Sequence, residues 1–156
     1  MDTLIVVGAK YLIYVIAFSA VIATLLSVRA VRCNIIKLAL LSFPIAFLVS
    51  VIAGHLFYDT RPFVVEQIEP LIPHAADNGF PSDHTLFAMV AAATIFVYNR
   101  KLGMLLGILS VLVGVSRVMA KVHYPIDIVG SIAIAIAATC LAWIILKTLR
   151  KNRHLR

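Results

Sequence analysis

Five long apolar runs, Leu4–Val28, Ile35–Tyr58, Ser82–Tyr98, Leu102–Met119 and Ile126–Leu149, account for most of this chain. A helix that crosses a bilayer needs about 20 mainly apolar residues, so runs of this length predict membrane spans. The third is short for a span, and the fourth ends in a polar stretch. Gly8, Pro44, Gly107, Gly114 and Gly130 lie inside the runs, where membrane helices tolerate such residues better than soluble ones do. Only 13% of residues are charged, against roughly 25% in soluble domains. The expected fold is therefore all-α: a polytopic membrane helical bundle with about five transmembrane helices, forming one domain over residues 1–156. Met1-Asp2-Thr3 lacks the basic region that opens a signal peptide, so the first run is read as a retained span. Cys33 and Cys140 stand alone, without metal-ligand spacing.

The charges set an orientation. Arg29, Arg32 and Lys37 flank the first connector, Arg100 and Lys101 the third, and Lys147, Arg150, Lys151, Arg153 and Arg156 the tail. With five spans, these ten of the 14 basic residues share one side. The positive-inside rule makes that side cytoplasmic, with the N-terminus out and the C-terminus in. All seven acids, Asp2, Asp59, Glu66, Glu69, Asp77, Asp83 and Asp127, fall on the other side. The net charge of +7 thus reflects topology and contact with anionic lipid, not nucleic-acid binding. Lys10, two turns into the first span, is read as snorkelling outward.

Against this background, Ser116-Arg117-Val118-Met119-Ala120-Lys121-Val122-His123-Tyr124-Pro125-Ile126-Asp127 puts an Arg, a His and an Asp where a span should be least polar. Pro125 suits the first turn of a new helix, which places Asp127 within reach of the His123 ring. A carboxylate on one imidazole nitrogen leaves the other basic and aimed, as a nucleophile or base requires. Arg117 supplies a fixed charged fork suited to a phosphate. Taken alone, the stretch reads equally as three polar groups snorkelling at a membrane rim.

The outer connector, 59–81, opens with Arg61-Pro62. Its Phe63–Glu69 segment has the pattern of a short amphipathic helix lying at the interface, serving either as a lip for a lipid substrate or as a plain connector. It ends in Asn78-Gly79-Phe80-Pro81-Ser82-Asp83-His84-Thr85, where Ser82 reads as the N-cap of the third helix. Helix N-termini offer free N–H groups and partial positive charge to anions. Two such termini, with Arg61, Arg117, His84 and His123, converge on one membrane face from separate places in the sequence.

Together these residues resemble the type 2 phosphatidic acid phosphatase (PAP2) superfamily of lipid phosphatases. Its third motif, Ser-Arg, five residues, His, three residues, Asp, is met by Ser116, Arg117, His123 and Asp127. Its second, Pro-Ser-Gly-His, appears as Pro81-Ser82-Asp83-His84, and its first, Lys, six residues, Arg-Pro, is half present as Arg61-Pro62. The family's lysine falls on Gly54, so one phosphate-binding cation is missing, with His55 or Lys121 as substitutes. Asp83 stands where the family has Gly. The variant Phe-Pro-Ser-Asp-His-Thr in a short chain looks like the bacitracin-resistance type of undecaprenyl-diphosphate phosphatase.

The resemblance implies that His123 attacks phosphorus to give a phosphohistidine, oriented by Asp127, while His84 protonates the leaving oxygen and later activates water. Arg61, Arg117, Ser82, Asp83, Ser116 and helix N–H groups are implied around the phosphate oxygens. No metal and no cofactor are implied. The expected substrate is a lipid phosphate within the membrane, undecaprenyl diphosphate first, with phosphatidylglycerophosphate or phosphatidate as alternatives. A non-catalytic lipid-phosphate binder or transporter is the rival of another class. The vanadate-dependent haloperoxidases, whose helical core is similar, are soluble, and the hydropathy argues against them. His74 and His154 read as solvated loop and tail residues. Tyr11, Tyr14, Tyr58, Tyr98, Tyr124 and Trp143 read as an aromatic belt or packing near span ends.

Overall fold

The structure, a computed structural model, describes residues 1–153; the expectations for His154 and Arg156 lie outside them. The helices in chain order are α1 (Asp2–Lys10), α2 (Leu12–Leu26), α3 (Arg29–Leu56), α4 (Pro62–Val65), α5 (Asp83–Phe96), α6 (Arg100–Met119) and α7 (Pro125–Arg153). Among the described residues the only extended pairing is a single bridge between Thr60 and Asn78. The all-α membrane bundle expected from the apolar runs is what the chain forms.

α3, α6 and α7 are each long and apolar enough to cross a membrane, and α1 with α2 is long and apolar enough only as a pair, bent by 42° at the break between them. The first apolar run is thus not one straight span. No Gly or Pro marks the break at Tyr11. A guanidinium does: Arg117 Nη1 donates to the Ala9 carbonyl at 3.4 Å, and a side chain inserted into the helical ladder is a recognised cause of a sharp bend.

α5 is only 14 residues long. Its neighbours α2, α3, α6 and α7 surround it, and Thr85, Leu86, Ala88, Met89, Val90, Ala92, Thr94 and Ile95 are all buried. A helix shielded by protein needs no full-length lipid-facing surface. Leu86, Val90 and Ile95 meet Ile16, Ile35, Ala46, Leu106, Val113 and Ala135 in the main core. Phe18, Leu40, Val129 and Ile144 point outward instead, as lipid-facing residues do. Lipid is as apolar as the core, so close packing holds such helices together. At Gly114 a Cβ would run into Ile128 of α7, so this glycine sets the approach of α6 and α7.

The expected interfacial helix over Phe63–Glu69 shrinks to the single turn of α4. Gln67 turns the chain at φ 52°, and the segment is tied to the α6–α7 connector. The Phe63 N–H donates to the Lys121 carbonyl at 3.2 Å, and the Leu71 N–H to that of Ala120 at 3.2 Å. Ile72 is buried with Ala9, Ala120 and Val122 in a second, smaller core. The loop between α3 and α5 is thereby folded over the end of the bundle where α6 meets α7.

Candidate active site

α6 stops at Met119, Lys121 turns the chain at φ 63°, and Pro125 begins α7. Asp127, third residue of α7, accepts the Tyr124 N–H at 2.9 Å. That is the half of a capping box in which an acidic side chain reaches back to the residue before the helix. The same oxygen, Oδ2, lies 3.1 Å from His123 Nδ1. A carboxylate can only accept, so Nδ1 carries the proton and Nε2 keeps its lone pair. One helix-start bond therefore also fixes the tautomer of the buried histidine.

Nε2 of His123 lies 3.4 Å from Arg61 Nη1 and 3.4 Å from Arg117 Nη2. Arg61, Arg117, His123 and Asp127 are all buried. Arg61 is clamped: Nε donates to Asp77 at 2.7 Å, Nη1 to the Val122 carbonyl at 2.8 Å and Nη2 to the Asn78 carbonyl at 3.1 Å. Arg117 is held more loosely, by the Ala9 carbonyl, and its Nε is buried with no partner. Two guanidinium groups beside one imidazole disfavour its protonation. Burial first, then Arg117 and Arg61, holds the His123 pKa below the usual histidine value, although Asp127 pulls the other way. A neutral, aimed nitrogen between two fixed cations suits attack on an anionic centre.

Ser82 is the N-cap of α5 by position, but its buried hydroxyl lies 3.2 Å from that of Thr85 and caps no backbone N–H. Its carbonyl accepts from Ser131 of α7 at 3.0 Å, and Ser131 also reaches the Asp127 carbonyl at 2.7 Å. This hydroxyl ties the start of α5 to the start of α7. Asp83 is exposed, with Arg61 and Arg117 as its opposite charges and His123 nearby. His84 is half-buried, with Arg117 and the two titratable rings of His123 and His74 as its neighbours. Ser116 faces elsewhere: a Cβ at Gly8 would collide with its hydroxyl, so it packs against α1.

Residues 35–151 match the PAP2 superfamily. The chain belongs to that superfamily. Among curated relatives, undecaprenyl-diphosphatase BcrC of Bacillus subtilis is 45% identical over 80 residues, covering 51% of this chain but 42% of that protein. The putative undecaprenyl-diphosphatase YbjG of Escherichia coli is 37% identical over 133 residues, 85% of this chain and 67% of the relative. The bacitracin transport permease protein BcrC of Bacillus licheniformis is 33% identical over 137 residues, with 86% and 67% covered. The chain thus matches less than half of the first relative's length and about two thirds of the others'. Among solved structures, Aquifex aeolicus LpxE superposes with a TM-score of 0.75 at 22% identity over 91% of this chain and 84% of that one. A PAP2-type phosphatidylglycerolphosphate phosphatase of Bacillus subtilis gives 0.62 at 23% identity over 94% and 75%.

In PAP2 terms, the fold gathers Arg61, His84, Arg117, His123 and Asp127 at one end of the bundle. The substitutes considered for the first-motif lysine are engaged elsewhere. His55 is exposed, with Nδ1 2.7 Å from the Val51 carbonyl of its own helix, and Lys121 pairs with Glu66 at 3.1 Å. A Cβ at Gly54 would come 3.0 Å from the Phe80 carbonyl, a close approach that suits glycine there. Three loop residues that no motif assigned to the site belong to the neighbourhood. Asp77 holds Arg61. Asn78 accepts from the N–H groups of Asp59 (2.9 Å) and Phe80 (3.0 Å) and donates to the carbonyls of Gly54 (2.7 Å) and Phe57 (3.1 Å). His74, taken for a solvated residue, is half-buried with its ring centroid 6.1 Å from that of His123. For these the signal lay only in proximity to the motif.

Proposed function

We propose that this chain is an integral-membrane undecaprenyl-diphosphate phosphatase that works through a phosphohistidine. The observation that carries the reading is His123 Nε2, deprotonated by the Asp127 bond to Nδ1 and flanked at 3.4 Å by Arg61 and Arg117. In this mechanism Nε2 attacks the terminal phosphorus, a P–N bond forms, and the bond to the bridging oxygen breaks. Undecaprenyl phosphate departs with a proton from His84. His84 then takes a proton from water, which attacks the phosphohistidine and frees inorganic phosphate and His123. Arg61 and Arg117 stabilise the equatorial oxygens as charge spreads over them, with Ser82 and the α5 N–H groups beside them.

The substrate assignment is supported by the names of the Bacillus subtilis and Escherichia coli relatives. A phosphate monoester also leaves more readily than an alkoxide, which suits a cluster short of one cation. The reading includes independence from metal ions. The bias of Lys and Arg to one side of five spans supports an extracytoplasmic site and a cytoplasmic C-terminus in the cell membrane. One relative is named a transport permease, which gives the non-catalytic rival a specific basis.

The test is phosphate release from undecaprenyl diphosphate by purified protein in EDTA, beside His123→Ala and a panel with phosphatidylglycerophosphate and phosphatidate. Release by the wild type alone, fastest on the diphosphate, is expected. Function unchanged in His123→Ala would leave the binding or transport reading. Preference for phosphatidylglycerophosphate would keep the chemistry and move the substrate.

A further inference from the structure

The loop that supplies Asp77 and Asn78 also delivers a third histidine to the cluster. The Leu71 N–H bond to the Ala120 carbonyl and the buried Ile72 anchor the loop immediately before His74. His74 stands edge-on to His123, with 77° between the ring planes and centroids 6.1 Å apart. That separation is too long for a bond between the rings and short enough for one bound group to touch both. His74 Nδ1 lies 3.4 Å from the Ala75 carbonyl, which can only accept, so Nε2 is the nitrogen left for a ligand.

The charged and titratable groups around His74 come from every neighbouring element: Arg61 from the α3–α4 connector, Arg117 from α6, His123 from the α6–α7 connector, His84 from α5 and Asp77 from its own loop. The cluster is built for an anion yet lacks the first-motif cation: Gly54 has no side chain, Lys121 is paired with Glu66 and His55 is turned onto its own helix.

We propose that His74 completes the phosphate cradle, donating a charge-assisted hydrogen bond as an imidazolium to an oxygen of the bound phosphate. This rests on the phosphatase reading above for its substrate, though not for its anion. Burial, then Arg61 and Arg117, holds the His74 pKa below the usual histidine value, so the free protein carries it neutral at neutral pH. An arriving phosphate reverses the local sign of charge and favours the protonated ring. Phosphate binding therefore takes up a proton from solvent and weakens as pH rises. The role is one of binding, so it is read in KM and phosphate affinity more than in kcat.

The experiment uses the full chain in detergent, from pH about 6 to 8, with inorganic phosphate binding followed by calorimetry and KM measured for undecaprenyl diphosphate. For His74→Gln, phosphate affinity and 1/KM are expected to fall about tenfold at the acid end, with the pH dependence of both flattened and kcat within a few-fold. His74→Lys restores both and holds them to higher pH, because lysine stays charged. It also serves as the test if His74→Gln does not fold. Unchanged phosphate affinity and KM in His74→Gln at every pH would overturn the proposal. So would a His74→Lys protein no better than His74→Gln, which would mark the ring as loop packing. A wild type inactive on every lipid phosphate, yet binding inorganic phosphate in a His74-dependent way, would defeat the phosphatase reading and leave this one standing.

Discussion

Both ends of the bundle carry positive charge, but they hold it in different ways. At the loop-covered end, Arg61 and Arg117 are buried, and each reaches a backbone carbonyl and the His123 ring. At the other end, Lys37, Lys147 and Arg150 line an open cavity of about 440 Å³ with Asn34, Tyr98 and Trp143. There Lys147 lies 4.9 Å over the Trp143 ring and Arg150 donates to Asn34 at 2.6 Å. Burying a charge is costly unless its partners are fixed, so buried cations persist only where fixed partners hold them. Cations at an exposed rim cost little and serve orientation and contact with anionic lipid. Positive charge alone thus does not distinguish the two ends. Its burial and fixed geometry do.

The sharpest way to break this contrast is to remove the group on which the buried end is centred. His123→Ala should lower phosphate release from undecaprenyl diphosphate by at least about 10³-fold with the fold retained by circular dichroism. Asp127→Asn comes next. It keeps the volume but loses the acceptor that fixes the His123 tautomer, and should cost about 10²- to 10⁴-fold in kcat.

Arg117→Gln should cost about 10²- to 10³-fold and should also move the pH profile. His123 must be neutral to attack, and its pKa sits below the usual value, so the acid limb of kcat/KM in the wild type should fall below about 6.5. Removing the Arg117 charge eases protonation of His123, and the limb should shift toward higher pH. A downward shift would mean that Arg117 does not act on this ring. The smallest effect belongs to the other end. The double variant Lys147→Ala, Arg150→Ala should leave turnover within about twofold and change stability by about 0.5 kcal/mol or less for each exposed site. A large loss of turnover there would erase the distinction between the two ends.

How much of this was legible beforehand follows from how local each signal is. The apolar runs announced α3, α6 and α7 because span length is written directly in composition. His123 and Asp127 were legible as a pair because Pro125 starts a helix and sets their spacing. The bend at Tyr11 was not, since its cause, Arg117, lies far away in the sequence. The shortened α4 and the approach of His74 to His123 were hidden for the same reason: both depend on loop backbone pairing with Ala120 and Lys121, contacts that no periodicity encodes. Ser116 matched a motif, and only the packing of Gly8 against it reveals which way its hydroxyl faces.

The most direct test of the central claim is to trap the intermediate. Wild-type protein turning over undecaprenyl diphosphate labelled in its terminal phosphate would be quenched in base and digested, and the labelled peptide sequenced. An acid-labile, base-stable phosphate on His123, absent from His123→Ala, is the predicted result. Turnover with the label on another residue, or with no protein-bound phosphate at any time point, would contradict the assignment of His123 as nucleophile.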